Sequence, residues 1–176
     1  LVDEIITGAG PGGGPQVNIY QINAASGQVT MIQSFFAFND PTEGVNPGFP
    51  THPHRGIETV TYILEGTVRH RDSLGNNGII GPGEVQWMSA GSGILHEEMP
   101  FADKSGNIHG FQLWVNLPAA QKMSRPAYQD VNSAKLPLVD FGEYSAKVIA
   151  GELNGVKGPV TDINIIPNYM DVFLKP

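Results

Sequence analysis

Hydrophobic and polar positions alternate with a period of two over several short stretches, and helical spacing is nowhere sustained. Residues 16–21 and 28–37 read as strands joined by the turn Ala24-Ala25-Ser26-Gly27, and residues 8–15, rich in Gly and Pro, read as a loop. Residues 39–50 hold three Pro and two Gly and are expected to be a loop. Residues 58–68 form the most strand-like segment, dense in β-branched and aromatic side chains, and 68–72 continue to a turn over 72–78. Short strands follow at 79–80 and 84–88, split by Gly81-Pro82-Gly83, and 109–117 alternate as a central strand would. Residues 118–123 suit one helical turn, and strand-like runs reappear at 147–151, 162–166 and 170–174. Short strands at close spacing with Gly/Pro punctuation predict an all-β sandwich or jelly-roll barrel.

Composition narrows the function classes. The chain has 176 residues, enough for one domain with a core. A formal net charge of -7 carries no footprint for nucleic acid. The chain has no cysteine, which removes disulfides, iron–sulfur clusters, thiolate zinc and cysteine nucleophiles together. It contains neither a run of 18 apolar residues nor a basic-then-apolar leader, so no membrane partner and a cytoplasmic location are expected, with a nuclear one for a eukaryotic source.

The candidate chemistry sits in two short clusters. Thr51-His52-Pro53-His54-Arg55-Gly56 offers imidazoles at i and i+2, and Gly93-Ile94-Leu95-His96-Glu97-Glu98 offers an imidazole and a carboxylate at the same spacing. On a strand, i and i+2 share a face roughly 6.6–6.8 Å apart. Two such strands side by side would bring His52, His54, His96 and Glu98 to one point. Each pair follows a glycine-bearing turn, so both are expected at strand beginnings. Nitrogen and oxygen donors without sulfur suit one divalent first-row metal, with Fe preferred and Mn, Co, Ni, Cu or Zn the alternatives. Glu97, Glu58 and Gln112 are candidates to orient imidazole N–H groups, and Arg55 to hold Glu58 or a substrate oxygen. Phe36, Phe38, Phe49, Trp87, Met88, Phe111 and Trp114 are candidate pocket walls, with core packing the simpler role for most.

From Gly48 through Pro100 the sequence resembles the pirin family of cupins. The likeness rests on Phe49-Pro50-Thr51-His52-Pro53-His54-Arg55-Gly56-Ile57-Glu58-Thr59-Val60, on His70-Arg71-Asp72-Ser73-Leu74-Gly75-Asn76, and on Gly81-Pro82-Gly83-Glu84 through His96-Glu97-Glu98-Met99-Pro100. Gln112-Leu113-Trp114-Val115-Asn116-Leu117 extends it. The resemblance implies a cupin barrel, or double-stranded β-helix, over residues 1–145. Residues 146–176 would be an extension similar to the start of a second cupin half that stops short of completing it.

It also implies an iron site built from His52, His54, His96 and Glu98. Most cupins take their carboxylate from the first motif, which makes Glu58 the competing ligand; pirins take it from the second. The activity implied is that of a quercetin 2,3-dioxygenase, opening the flavonol ring with O2 and releasing carbon monoxide, with Glu98 as ligand and proton acceptor. The alternative is a non-catalytic iron- or redox-sensing regulator that binds a transcription factor or a metabolic enzyme; a third reading is a structural metal. Terminal strands with an open edge would favour a homodimer. A cavity leading to an open coordination position would separate the enzyme from the sensor.

Overall fold

Residues 57–65 are almost continuously buried, which is the signature of a strand covered on both faces. The computed structural model describes residues 4–9, 15–23 and 28–38 as backbone strands, and residues 48–164 and 167–175 in full. The turn expected at 24–27, residues 10–14 and 39–47 of the two expected loops, and the side chains of Phe36 and Phe38 lie outside the described residues. In chain order the strands are β1 (Glu4–Ala9), β2 (Pro15–Asn23), β3 (Gln28–Phe38), β4 (Phe49–His54), β5 (Ile57–Glu65), β6 (Thr67–Asp72), β7 (Asn77–Ile80) and β8 (Val85–Ser89). They continue with β9 (Ile94–Phe101), β10 (Asn107–Asn116), β11 (Ala127–Val131), β12 (Leu138–Asp140), β13 (Tyr144–Ala150), β14 (Glu152–Leu153), β15 (Val156–Lys157) and β16 (Tyr169–Leu174). Among the described residues the only helical segments are 3-10 turns at Ala119–Gln121, where one helical turn was expected, and Ser133–Lys135.

A seven-stranded sheet in the order β1-β2-β3-β10-β5-β8-β11 faces a four-stranded sheet in the order β4-β9-β6-β7, with every described pairing antiparallel. From β3 to β6 the chain alternates between the two, as in the jelly-roll barrel that the alternation pattern predicts. The 58–68 segment is not one strand. It breaks at Gly66, whose φ of +74° carries the chain out of β5 in one sheet and into β6 in the other. A Cβ there would meet the Phe101 carbonyl oxygen at 2.6 Å, so the corner has room only for glycine.

Period two divides β5 between two interiors. Thr59, Thr61 and Ile63 face the barrel, while Glu58, Val60 and Tyr62 face the opposite way. On that outer side Val60, Tyr62, Trp87, Leu113 and Val115 pack with Leu136, Ile149, Ala150 and Val160 in the largest apolar cluster. The Tyr62 hydroxyl donates to Asp171 on β16 (2.7 Å). The C-terminal sheet β12-β13-β16 therefore shares a core with the barrel, and the boundary expected after residue 145 falls inside β13. In the barrel, Ile63, Val68, Ile80 and Ile108 form one apolar cluster, and Met88, Ala90 and Ile94 another. The polar side chains Thr61, His70, Gln86, His96, Glu98 and Gln112 are buried in the same interior.

Candidate metal centre

β4 and β9 run antiparallel, with His52 opposite His96 and His54 opposite Ile94. Between Phe49, opposite Glu98, and His52 the ladder carries a bulge on β4, which sets His52 and His54 against the start of β9. The His-x-Glu pair lies near a strand beginning, as expected, but the His-x-His pair ends its strand. Antiparallel pairing requires this, because two motifs meet at one level only if one closes its strand and the other opens its own. Gly56 (φ +68°) then turns the chain into β5, its N–H donating to the Gly91 carbonyl at 2.8 Å.

The three imidazoles converge. His52 Nε2 lies 3.0 Å from His54 Nε2 and 3.0 Å from His96 Nε2, and one ligand atom from each ring lies within 4.8 Å of the others. His52 Nδ1 lies 2.8 Å from the Pro50 carbonyl oxygen, which can only accept. In the neutral ring this contact takes the Nδ1 proton, which leaves the His52 Nε2 lone pair towards the cluster. Burial, reinforced by His96 and His52, lowers the His54 pKa to about 3. Burial together with His52 and His70 lowers that of His96 to about 4, against a smaller opposing pull from Asp72. Both rings are neutral at pH 7 and offer lone pairs. Two nitrogens about 2.1 Å from one ion and at right angles would stand about 3.0 Å apart, so the spacing suits adjacent ligands of a single ion. The cluster could hold a metal, and its imidazole donors are those of a first-row divalent ion.

Glu98 is buried two residues beyond His96, its Oε2 3.9 Å from His96 Nε2. Gln112 Nε2 donates to its two oxygens at 2.9 and 3.0 Å, and the Thr61 hydroxyl to Oε1 at 3.3 Å. Burial raises the Glu98 pKa above the ordinary carboxylate range, against the opposing pull of Gln112, His52, Thr61 and His70. Beside the cluster opens a cavity of about 370 Å³ lined by Phe49, Pro50, Thr51, His52, Glu98, Gln112 and Trp114.

Of the residues expected to orient the imidazoles, only Gln112 lies at the site, and its partners are the Glu98 carboxylate, Thr61 and Trp114 rather than a histidine. Glu58 lies on the far face of β5 and accepts from Asn164 Nδ2 (3.1 Å). Glu97 lies on the outer face of β9, paired with Arg71 at 2.5 Å and within 3.5 Å of the Thr51 hydroxyl. Arg55 is exposed and reaches Met123 Sδ at 3.1 Å rather than Glu58. The reason is the same for both carboxylates, since odd offsets from an inward residue on a strand point outward. Phe49 and Trp114 line the cavity, whereas Trp87, Met88 and Phe111 pack in apolar clusters. Sequence reasoning missed Thr61 and the Pro50 carbonyl. It also missed the His70–Gln86–Asp130 chain, in which Gln86 Nε2 stands 2.6 Å from His70 Nε2 and 2.9 Å from Asp130 Oδ1. The pattern held one usable signal, since Thr61 is an even offset from Thr59 on the barrel face of β5.

Barrel and cluster together define a cupin whose donors come from two paired strands of one sheet. The chain belongs to the pirin family, whose model matches residues 20–115. A pirin-like protein of Caulobacter vibrioides is 50% identical over 138 residues, covering 77% of this chain and 50% of that protein. The crystal structure of a quercetin 2,3-dioxygenase from Acinetobacter baumannii superposes with a TM-score of 0.74 at 34% identity, covering 91% of this chain and 58% of that one. A bacterial pirin from Escherichia coli in complex with nickel(II) gives a TM-score of 0.54 at 25% identity, over 85% of this chain and 69% of that one. The chain spans about half the length of the curated relatives it matches. No helix among the described residues is long and apolar enough to cross a membrane.

Proposed function

We propose that His52, His54, His96 and Glu98 hold one divalent metal, preferably iron, and that the site carries a quercetin 2,3-dioxygenase-type reaction on a flavonol-like substrate. The observation that carries this reading is the 370 Å³ cavity that His52 and Glu98 line at the edge of the converging imidazoles. A metal wholly enclosed by protein serves structure, whereas one reached by a cavity can take a ligand. The name borne by the Acinetobacter relative supports the substrate class.

Each residue contributes a separable task. When bound, the metal would lower the pKa of a coordinated substrate hydroxyl and supply a site for O2 chemistry. His52, His54 and His96 supply neutral donors, with His52 held in the required tautomer by Pro50. Glu98 has a pKa raised by burial, which makes it a better proton acceptor for the flavonol 3-hydroxyl than an exposed carboxylate. Phe49 and Trp114 give the cavity aromatic walls, suited to a flat polyphenol.

The test is oxygen uptake by iron-loaded protein given quercetin, beside a Glu98→Ala sample. Uptake with carbon monoxide release, lost in the variant, is the expected result. No uptake from protein shown to hold one iron would sink the dioxygenase and leave the redox-sensing binder, with a transcription factor or metabolic enzyme as its partner class.

A further inference from the structure

Trp114 stands where two parts of the site meet. Its ring lies edge-on against the His54 imidazole, with centroids 4.9 Å apart at 85°. Its indole N–H donates to Gln112 Oε1 at 2.7 Å. The two residues are neighbours at i and i+2 on one face of β10, opposite Thr59 and Thr61 of β5.

Donor chemistry fixes the orientation of the Gln112 amide. An indole nitrogen can only donate, so the atom of Gln112 that faces it must be the amide oxygen. The amide nitrogen then faces the other way, 2.9 and 3.0 Å from the two Glu98 oxygens and 3.2 Å from Thr61 Oγ1. Without the indole N–H, Glu98 alone selects between the two faces of the Gln112 amide, and Oε1 loses the bond that anchors the group from behind. The unanchored amide would shift or flip, and the carboxylate would swing away from the cluster.

We propose that Trp114 is a positioning residue of the metal centre: its N–H sets the orientation of Gln112 so that Gln112 holds Glu98 towards the three histidines, while its ring holds His54. This role rests on the reading of Glu98 as a ligand. It gives Trp114 a part in metal affinity beyond that of a cavity wall.

The test is a double-mutant cycle on nickel(II) affinity, measured by competition with a chelating dye on the full chain. The samples are wild type, Trp114→Phe, Gln112→Leu and the double variant, with Glu98→Ala beside them. Phenylalanine keeps an aromatic ring, though a smaller one, against His54 and removes the donor, and the double variant separates the loss of ring from the loss of donor. Loss of the Trp114 N–H should weaken nickel binding about tenfold, as loss of an outer partner of a ligand does. The double variant should bind as tightly as Gln112→Leu alone, because Trp114 acts through Gln112; a wall or packing role would add its own loss. Wild-type affinity in Trp114→Phe, or full additivity in the double variant, overturns the proposal. Unchanged affinity in Glu98→Ala overturns the ligand reading itself, and this proposal with it. If Trp114→Phe fails to fold, the indole N–H resonance of Trp114 serves instead. It should move and exchange faster with solvent in Gln112→Leu, and an unmoved resonance overturns the proposal.

Discussion

His52 and His96 face each other across the β4–β9 ladder with their Nε2 atoms 3.0 Å apart, one from each of the two sequence motifs. Neither motif forms the cluster alone. Replacing His96 by Ala should reduce nickel(II) affinity by more than about a hundredfold, since losing a ligand exceeds the loss of a ligand's outer partner. Wild-type protein should melt at a higher temperature with nickel than without, by the mass-action stabilisation of a native-state ligand, and His96→Ala should show no such rise. An equal rise in both samples would place the metal elsewhere.

The metal-free protein should lose stability as pH falls below about 6.5, the ordinary histidine pKa. His54 and His96 have folded pKa values of about 3 and 4, both well below that ordinary value. Above it both are neutral in folded and unfolded chains alike and contribute no pH dependence. Below it the unfolded chain takes up protons that the folded site refuses, so stability drops as the pH approaches the folded values. His70 and His109 are also lowered, mainly by burial, and act with the same sign. Urea midpoints measured at about pH 7.5, 6.0 and 5.0 should fall in that order, and less steeply in His54→Leu. The raised Glu98 pKa acts with the opposite sign, so the comparison with the variant decides: equal slopes in wild type and His54→Leu would contradict the burial of that ring.

Gly66→Ala should destabilise the fold by about 3 kcal/mol, combining a strained positive φ with overlap at a backbone carbonyl. The φ is +74° and the added carbon would lie 2.6 Å from the Phe101 carbonyl oxygen and 2.9 Å from that of Asn107. Equilibrium urea unfolding reads this directly, and a change below about 1 kcal/mol would mean that the corner can relax.

Tyr62→Phe should cost about 1 kcal/mol, the net worth of one hydrogen bond whose acceptor can turn to water. The bond joins β5 of the barrel to Asp171 of β16. Hydrogen exchange should therefore speed up in β16 more than in β9. Uniform acceleration across both strands would show that the loss is global rather than a loosening of the C-terminal sheet.

How much of the fold and the site is legible in the sequence depends on how local the signal is. The His-x-His and His-x-Glu spacings required each pair to share a strand face, whatever the rest of the chain does, because side chains alternate with period two. The strand character of 58–65 was equally local, carried by Val60, Tyr62 and Ile63. The break at Gly66 was written in the residue but concealed by the β-rich run on either side.

The choice among carboxylates was of another kind. Glu58, Glu97 and Glu98 all lie in or beside the two motifs, and composition does not separate them. Glu98 alone shares a face with His96 and is turned to Gln112 and Thr61, while Glu97 pairs with Arg71 outside and Glu58 faces Asn164 behind the sheet. The sequence by itself determined the all-β character, the shared face within each motif and the chemistry of the donors, because these follow from neighbours a few residues away. Tertiary structure decided which strands meet, at what register, and therefore that His52 lies opposite His96 and that Trp114 aims Gln112 at Glu98. His52 and His96 stand 44 positions apart in the chain, and only the pairing of β4 with β9 inside the closed barrel brings them together.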